Sequence, residues 1–341
     1  MTTFSIEDLL YDLFFAPRKE SAIRLLCGKA SELGPRGMAA ALAKSRLGSA
    51  HGRPFACERF FSAFRNELGA NDEWRFGPNR VRSLLRLFRR AHDLRSFVGA
   101  TVMEIGCGPE HPLGCSSVYY LNGASRTVAL DVDPLRDPAR SSVALFDLLV
   151  QCLALPDDWI FTSVGRDAFL NRIRTFDLHK LSQGDMAGGV SGTPCEHRVA
   201  DLRVIRSELA ERVDAILSNA TLEHVTPFDE FAQCLFDVLR PGGIAFNNVD
   251  FVDHRWYTGE QPHKWAYMTK GGGRDRFNSN QLRCSQMDGE LRRIGFEPIL
   301  IERTQAQVPE SVWSGLDERY AALPAEDIST LYAVMAYRKP L

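Results

Sequence analysis

The feature that most constrains how this chain folds is a change of period near residue 101. Beyond it, short apolar runs alternate with helical stretches, and most of the runs stop at an acid or a glycine. Residues 102–105, 127–130, 198–200, 213–218, 244–247, 297–302 and 331–337 read as seven strands. Residues 116–121, 141–155, 228–239 and 280–294 place their apolar side chains at helical spacing. Pro241-Gly242-Gly243 stops the third of these helices and Gly295 the fourth. Strands that alternate with helices build a parallel, doubly wound sheet. The last two strands have no obvious helix between them, which predicts an antiparallel edge.

Two regions fall outside that pattern. Residues 1–98 look helical throughout, with Leu9, Leu10, Leu13 and Phe14 on one face and Phe60, Phe61 and Phe64 on another. The clearest helix covers 79–97. There Val81, Leu84, Leu85, Phe88 and Ala91 line one side, and Arg82, Arg86, Arg89 and Arg90 lie mainly around the other. The organisation expected is a helical N-terminal region over 1–98, serving as an acceptor cover or a dimer surface, followed by a sheet domain over 99–341. More than sixty residues separate Asp131 from Arg198, where one strand-helix-strand crossover needs about thirty. Residues 157–196 therefore read as an insertion, either a substrate loop or a disordered surface loop.

Composition narrows the function. A net charge of −2 provides no field to gather nucleic acid or an anionic membrane. The first residues carry acids where a secretory signal needs bases, and residues 143–155, the longest apolar stretch, are too short to cross a bilayer. The eight cysteines are scattered, without a C-x-x-C pair, so reduced thiols in a cytoplasmic protein are expected.

The bend after the first strand reads TVMEIGCGPEHPLG over 101–114. Glycines one residue apart after a strand suit a nucleotide held by backbone N–H groups. The third glycine of G-x-G-x-x-G is missing, however, and Glu104 and Glu110 would repel a pyrophosphate. Carboxylates there fit a nucleoside with a cationic amino-acid tail. S-adenosylmethionine has an ammonium and a sulfonium, and no phosphate.

Residues 101–250 resemble a class I S-adenosylmethionine-dependent methyltransferase, with the pieces in the family's order. EIGCG at 104–108 resembles the first motif and ALDVD at 129–133 the second, whose acid, Asp131, binds the ribose hydroxyls. VADL at 199–202 resembles the piece whose acid, Asp201, meets the adenine amino group. DAILSNATLEHV at 214–225 and LRPGG at 239–243 resemble the fourth-strand motif and the turn into strand five. The resemblance implies a Rossmann-like fold. It assigns cofactor binding to Glu104, Gly106, Cys107, Gly108, Asp131, Val132, Asp201, Leu202 and Asn219. The family's third glycine is replaced by Glu110.

Methyl transfer needs an in-line nucleophile, a dry site and, for a hydroxyl, a proton acceptor. His224 and His254 follow strands four and five, at the strand ends where open α/β sheets bind ligands. NVDFVDH with the later NSNQLRCSQ resembles a subset of bacterial small-molecule and sugar methyltransferases. His254 is the candidate general base, with Asp253 or Asp250 orienting it and His224 beside the cofactor. Asp250, Asp253 and His254 could also bind a divalent metal, as in some metal-dependent sugar O-methyltransferases, but the spacing D-x-x-D-H is not diagnostic and no metal is expected. Trp256, Tyr257, Trp265 and Tyr267 would suit a sugar or an aromatic acceptor, or pack a cover onto the sheet. The expected function is O-methylation of a sugar, glycan or secondary metabolite in a biosynthetic pathway. The alternatives are N-methylation of a small molecule, a non-catalytic S-adenosylmethionine-binding protein and, least favoured, a nicotinamide oxidoreductase. A homodimer is compatible with these readings.

Overall fold

The computed structural model describes residues 78–273 and 279–341. The helical expectations for residues before 78 lie outside the described residues. Seven strands form one sheet in the order β3-β2-β1-β4-β5-β7-β6. They are β1 Thr101–Ile105, β2 Arg126–Asp131, β3 Cys195–Val199, β4 Val213–Asn219, β5 Leu239–Asp250, β6 Glu297–Gln305 and β7 Thr330–Arg338. β2 pairs with β3, and β4 with β5, in parallel; β7 runs antiparallel to both β5 and β6. The expected mostly parallel, seven-stranded sheet with an antiparallel end is therefore the fold.

The chain divides into two compact units, one containing Cys107–Val199 and the other Ala200–Leu341. All five residues of β1 are buried, and in the first unit so are the nine residues of the helix Leu113–Leu121. The arginine face of the helix Pro78–Leu94 is put to structural use. The Arg82 guanidinium lies 4.7 Å from the Trp159 ring centre, and Arg89 covers Phe161 while donating to the Asp158 carbonyl at 3.1 Å. These cations snorkel over aromatic rings.

The insertion is folded. Helices Arg166–Ile173, Leu178–Ser182 and Met186–Val190 cross residues 157–196, and the last runs through the glycine-rich tract that reads as loose in sequence. Trp159, Phe169, Ile173 and Leu181 are buried. Asn122, itself buried, donates to the carbonyls of Val118 and Trp159 at 2.9 Å and accepts from the Phe161 N–H at 2.8 Å. Arg172 donates to the carbonyls of Tyr120 and Ala124.

In the second unit, β5 is longer than the sequence predicts. Pro241-Gly242-Gly243 lies within the strand rather than in a turn before it. Three helical turns, Glu310–Ser314, Glu318–Ala321 and Ala325–Ser329, precede β7. Their buried faces join Trp265, Tyr267 and Met268 in one apolar cluster.

Candidate active site

The bend after β1 is shaped by its glycines. Gly106 and Gly108 have φ of 71° and 82°, in the left-handed region that favours glycine. A Cβ on Gly108 would stand 3.2 Å from the Arg80 guanidinium. The Gly108 N–H donates to Asp131 Oδ2 at 2.7 Å, and the Asp133 N–H donates to Oδ1 at 3.0 Å. Asp131 thus ties the bend to the end of β2. Each carboxylate oxygen still has an open lone pair, the acceptor capacity that two neighbouring hydroxyls require. Val132, next in the chain, is 63% exposed, an apolar surface beside that carboxylate.

Glu110 differs from the sequence expectation. It is buried and faces Arg136 at 3.0 Å and Arg80 at 3.8 Å. Two guanidiniums offset its charge, so it brings no net negative field to a ligand. It fastens the bend instead, with help from Ser141 Oγ, which donates to the Glu110 carbonyl. Any charge preference now rests on Glu104, buried within β1.

In the second unit, a Cβ on Gly106 would fall 2.0 Å from Thr221 Oγ1, so the backbone passes where no side chain fits. Thr221 donates to the carbonyls of Ile105 and Asn219. Asn219 Oδ1 accepts from Asn248. Asp201 caps the helix Leu202–Leu209, accepting from the Arg203 N–H, and binds the Arg203 guanidinium at 2.6 and 3.0 Å. The Arg203 hydrogen bonds hold its carboxyl below the usual range. One lone pair of Oδ2 is left over. Leu202 is buried on the inner face of that helix.

The acceptor-side residues come together at the carboxyl ends of β4 and β5, which are in register at Asn219 and Asn248. Glu223 and His224 occupy the 3₁₀ turn Leu222–His224. His254 opens the helix His254–Tyr257. The two imidazole centres are 4.8 Å apart with the rings tilted by 40°, and His254 Nε2 is 3.6 Å from Asp250 Oδ2. Asp253 is not the residue facing His254. It is fully buried, accepts from the Arg255 N–H and pairs with the Arg255 guanidinium at 2.7 and 3.0 Å. Asp250 faces His254 and also accepts from the Tyr257 hydroxyl at 2.9 Å. Burial, Tyr332 and Asp250 together push the Tyr257 phenol well up, so it stays a donor.

Of the four aromatics, two belong elsewhere. Trp265 donates to the Ile328 carbonyl and Tyr267 to the Phe251 carbonyl, both inside the apolar cluster. Trp256 and Tyr257 are exposed, and Lys264 Nζ lies 4.6 Å from the Trp256 ring centre.

Sequence reasoning missed two contributors. Asn280 clamps the Glu223 turn, with its N–H on the Glu223 carbonyl at 2.6 Å and its amide on the carbonyls of Leu222 and Val225. Glu223 is the other; it is 3% exposed, and burial pushes its carboxyl well up. Its signal was its place in TLEHV, one residue before the candidate site residue His224.

A methyltransferase-domain family model matches residues 73–299. The chain belongs to the methyltransferases. With the sheet order above, it is a class I S-adenosylmethionine-dependent enzyme. The methyltransferase is 35% identical over 83 residues to the human mitochondrial ubiquinone biosynthesis O-methyltransferase, 24% of this chain and 21% of that protein. For the Rattus norvegicus protein of the same name the values are 39%, 24% and 23%. The chain thus aligns with under a quarter of either relative. Among solved structures, it resembles an S-adenosylmethionine-dependent methyltransferase from Mesorhizobium loti at a TM-score of 0.38 and 16% identity, over 73% of this chain and 95% of that one. For phosphoethanolamine N-methyltransferase 2 of Haemonchus contortus the figures are 0.42, 13%, 76% and 52%.

Among the described residues, no helix is long and apolar enough to cross a membrane.

Proposed function

We propose that this methyltransferase methylates a hydroxyl of a small molecule, of the sugar, glycan or secondary-metabolite class. The observation that carries this reading is the His254–Asp250 contact at the carboxyl ends of β4 and β5. A hydroxyl needs a group to take its proton as the bond to carbon forms. His254 Nε2 stands 3.6 Å from Asp250 Oδ2, and Asp250 stabilises the imidazolium that results from proton uptake. Of the two aspartates, Asp250 takes the orienting role, since Asp253 is paired with Arg255. His224 packs against the same ring. Trp256 and Tyr257 offer exposed aromatic faces to a ring-shaped acceptor. The oxygen preference is also supported by the printed names of the curated relatives, which are O-methyltransferases.

The cofactor supplies an electrophilic methyl group on sulfur. Asp131 is assigned to the ribose diol, Val132 to the base face and Asp201 to the adenine amino group. Glu104, Gly106, Cys107, Gly108, Leu202 and Asn219 complete the cofactor set. The free lone pairs of Asp131 and the apolar surface beside it fit that ligand.

Paired variants test both halves of the reading. Asp131→Ala should weaken S-adenosylhomocysteine binding by about 1–3 kcal/mol, read by calorimetry. His254→Ala should leave that affinity intact and slow turnover on a hydroxyl acceptor about 10²–10⁴-fold. Normal turnover in His254→Ala, or selective methylation of amines across an acceptor panel, would overturn the assignment.

A further inference from the structure

We infer that Glu223, His224 and His254 form a binding site for a divalent cation of the borderline first-row type, such as Zn²⁺, Mn²⁺ or Co²⁺. One ligand atom from each residue lies within 4.8 Å of the other two. Two ligands about 2.1 Å from a common ion stand at most about 4.2 Å apart. Closing the set therefore takes a contraction of at least about 0.6 Å, within reach of rotation of the half-buried imidazoles.

The buried carboxylate is the independent observation. Glu223 is 3% exposed. Its Oε1 accepts a long bond from the Asp250 N–H at 3.3 Å, while Oε2 is buried and accepts no hydrogen bond among the described residues. An uncompensated carboxylate in that position is costly unless a cation stands beside it. Among the described residues the nearest charge named against it is Asp250, of the same sign.

The backbone holds the donors in place. Asn280 fixes the turn that carries Glu223 and His224, and the Asp253–Arg255 pair fixes the first turn of the helix that carries His254. Asp250, 3.6 Å from His254 Nε2, provides the outer carboxylate that orients a metal-bound imidazole.

Donor chemistry selects the ion. Two imidazoles and one carboxylate on one side leave several coordination positions open, an arrangement that suits borderline divalent ions. Magnesium prefers an all-oxygen shell. The open positions are available to water or to an oxygen of the acceptor. This role rests on the hydroxyl-transfer reading; in the loaded state the cation would polarise the acceptor hydroxyl as a Lewis acid, and the hydroxyl's proton would leave to solvent water instead of to His254. Cation binding itself does not rest on that reading.

The test is a Co²⁺ titration of the full, tag-free chain after chelator treatment, followed by visible absorption and by elemental analysis of the dialysed protein. The expected result is one Co²⁺ per chain, with ligand-field bands that Zn²⁺ displaces. Glu223→Gln and His254→Ala should each weaken Co²⁺ binding at least tenfold, while His179→Ala, at an exposed histidine outside the cluster, leaves it unchanged. S-adenosylhomocysteine affinity, measured in the same variants, reports that the fold is intact. Absence of stoichiometric Co²⁺ in the wild-type chain overturns the inference, and so does unchanged binding in both cluster variants. Either result leaves the hydroxyl assignment to be judged by turnover of His254→Ala, so the two readings fail separately.

Discussion

His111 is fully enclosed, and neither ring nitrogen has a hydrogen-bond partner among the described residues. Burial, with the nearby Arg80 charge adding to it, lowers its pKa from 6.5 to about 3. Protonation therefore favours the unfolded chain. The stability tied to a neutral His111 is complete above pH 6.5 and is lost as the pH falls from there toward 3, at up to about 1.4 kcal/mol per pH unit. Replacing the ring with an apolar side chain of similar size removes a group that must be desolvated and stays unpaired. His111→Leu should flatten the dependence of Tm on pH between 6 and 4, measured by calorimetry, and raise Tm at pH 5. A parallel pH profile in the variant would assign the acid sensitivity to other groups. At the same scale, the acids of the cofactor motif were legible as residue types and positions, but their partners were not. The two guanidiniums on Glu110 come from Arg80 and Arg136, and sequence spacing does not show which arginine turns inward.

At the scale of elements, the insertion is the part whose structure the sequence concealed. Its glycine-rich tract has no long apolar period, yet short helices form because aspartates cap them. Asp177 accepts from the Lys180 N–H and Asp185 from the Gly188 N–H. The segment is fastened to the first unit through Asn122, whose amide satisfies the Trp159 carbonyl and the Phe161 N–H. Asn122→Ala strands the buried Trp159 carbonyl and the half-buried Phe161 N–H and should cost about 2–6 kcal/mol, since each unsatisfied group carries roughly 1–3 kcal/mol. Limited proteolysis should then cut within 157–196 well before the rest of the chain, and the thermal midpoint should fall. Uniform resistance to protease would show that other contacts hold the insertion. The strands were easier to read than these short helices. β1, β2 and β4 are apolar runs with acid or glycine stops, and the observed bounds extend the expected ones by only a residue or so at an end. β5 was misjudged because Pro241 and the two glycines are strong turn formers. In the fold they precede the first strongly paired residues, Ile244–Asn247, and sit where the parallel register with β4 shifts. On the acceptor side, His224 and His254 were legible from their places after strands four and five. The third member, Glu223, was visible only once the turn held by Asn280 brought its carboxylate toward them.

At the scale of the whole molecule, the sheet order and the near-neutral charge make a joint prediction about ligand choice. With a net charge of −2, no long-range field draws in a polyanion, so selection rests on local groups. Those groups are a carboxylate at the end of β2 and a glycine bend in which Glu110 is already neutralised by Arg136 and Arg80. The first suits a ribose diol. The second contains the guanidinium of Arg80 close to Gly108, so repulsion of phosphate by Glu110 no longer counts against a dinucleotide. The discrimination has to come instead from Glu104 and from the missing third glycine, with His111 standing where the dinucleotide motif requires one. A ligand present at a hundred times its Kd stabilises the folded chain by about 2.7 kcal/mol, which in a chain of this size moves the thermal midpoint by several degrees. S-adenosylhomocysteine at saturating concentration should therefore raise the midpoint by that amount, and Asp131→Ala should abolish most of the shift. NAD at the same concentration should leave it unchanged, because Glu104 lies buried below the bend and the third glycine, which packs helix against strand in dinucleotide sites, is replaced by His111. An equal shift with NAD would mean that the arginines around Glu110, rather than the acids, set the ligand preference of the bend.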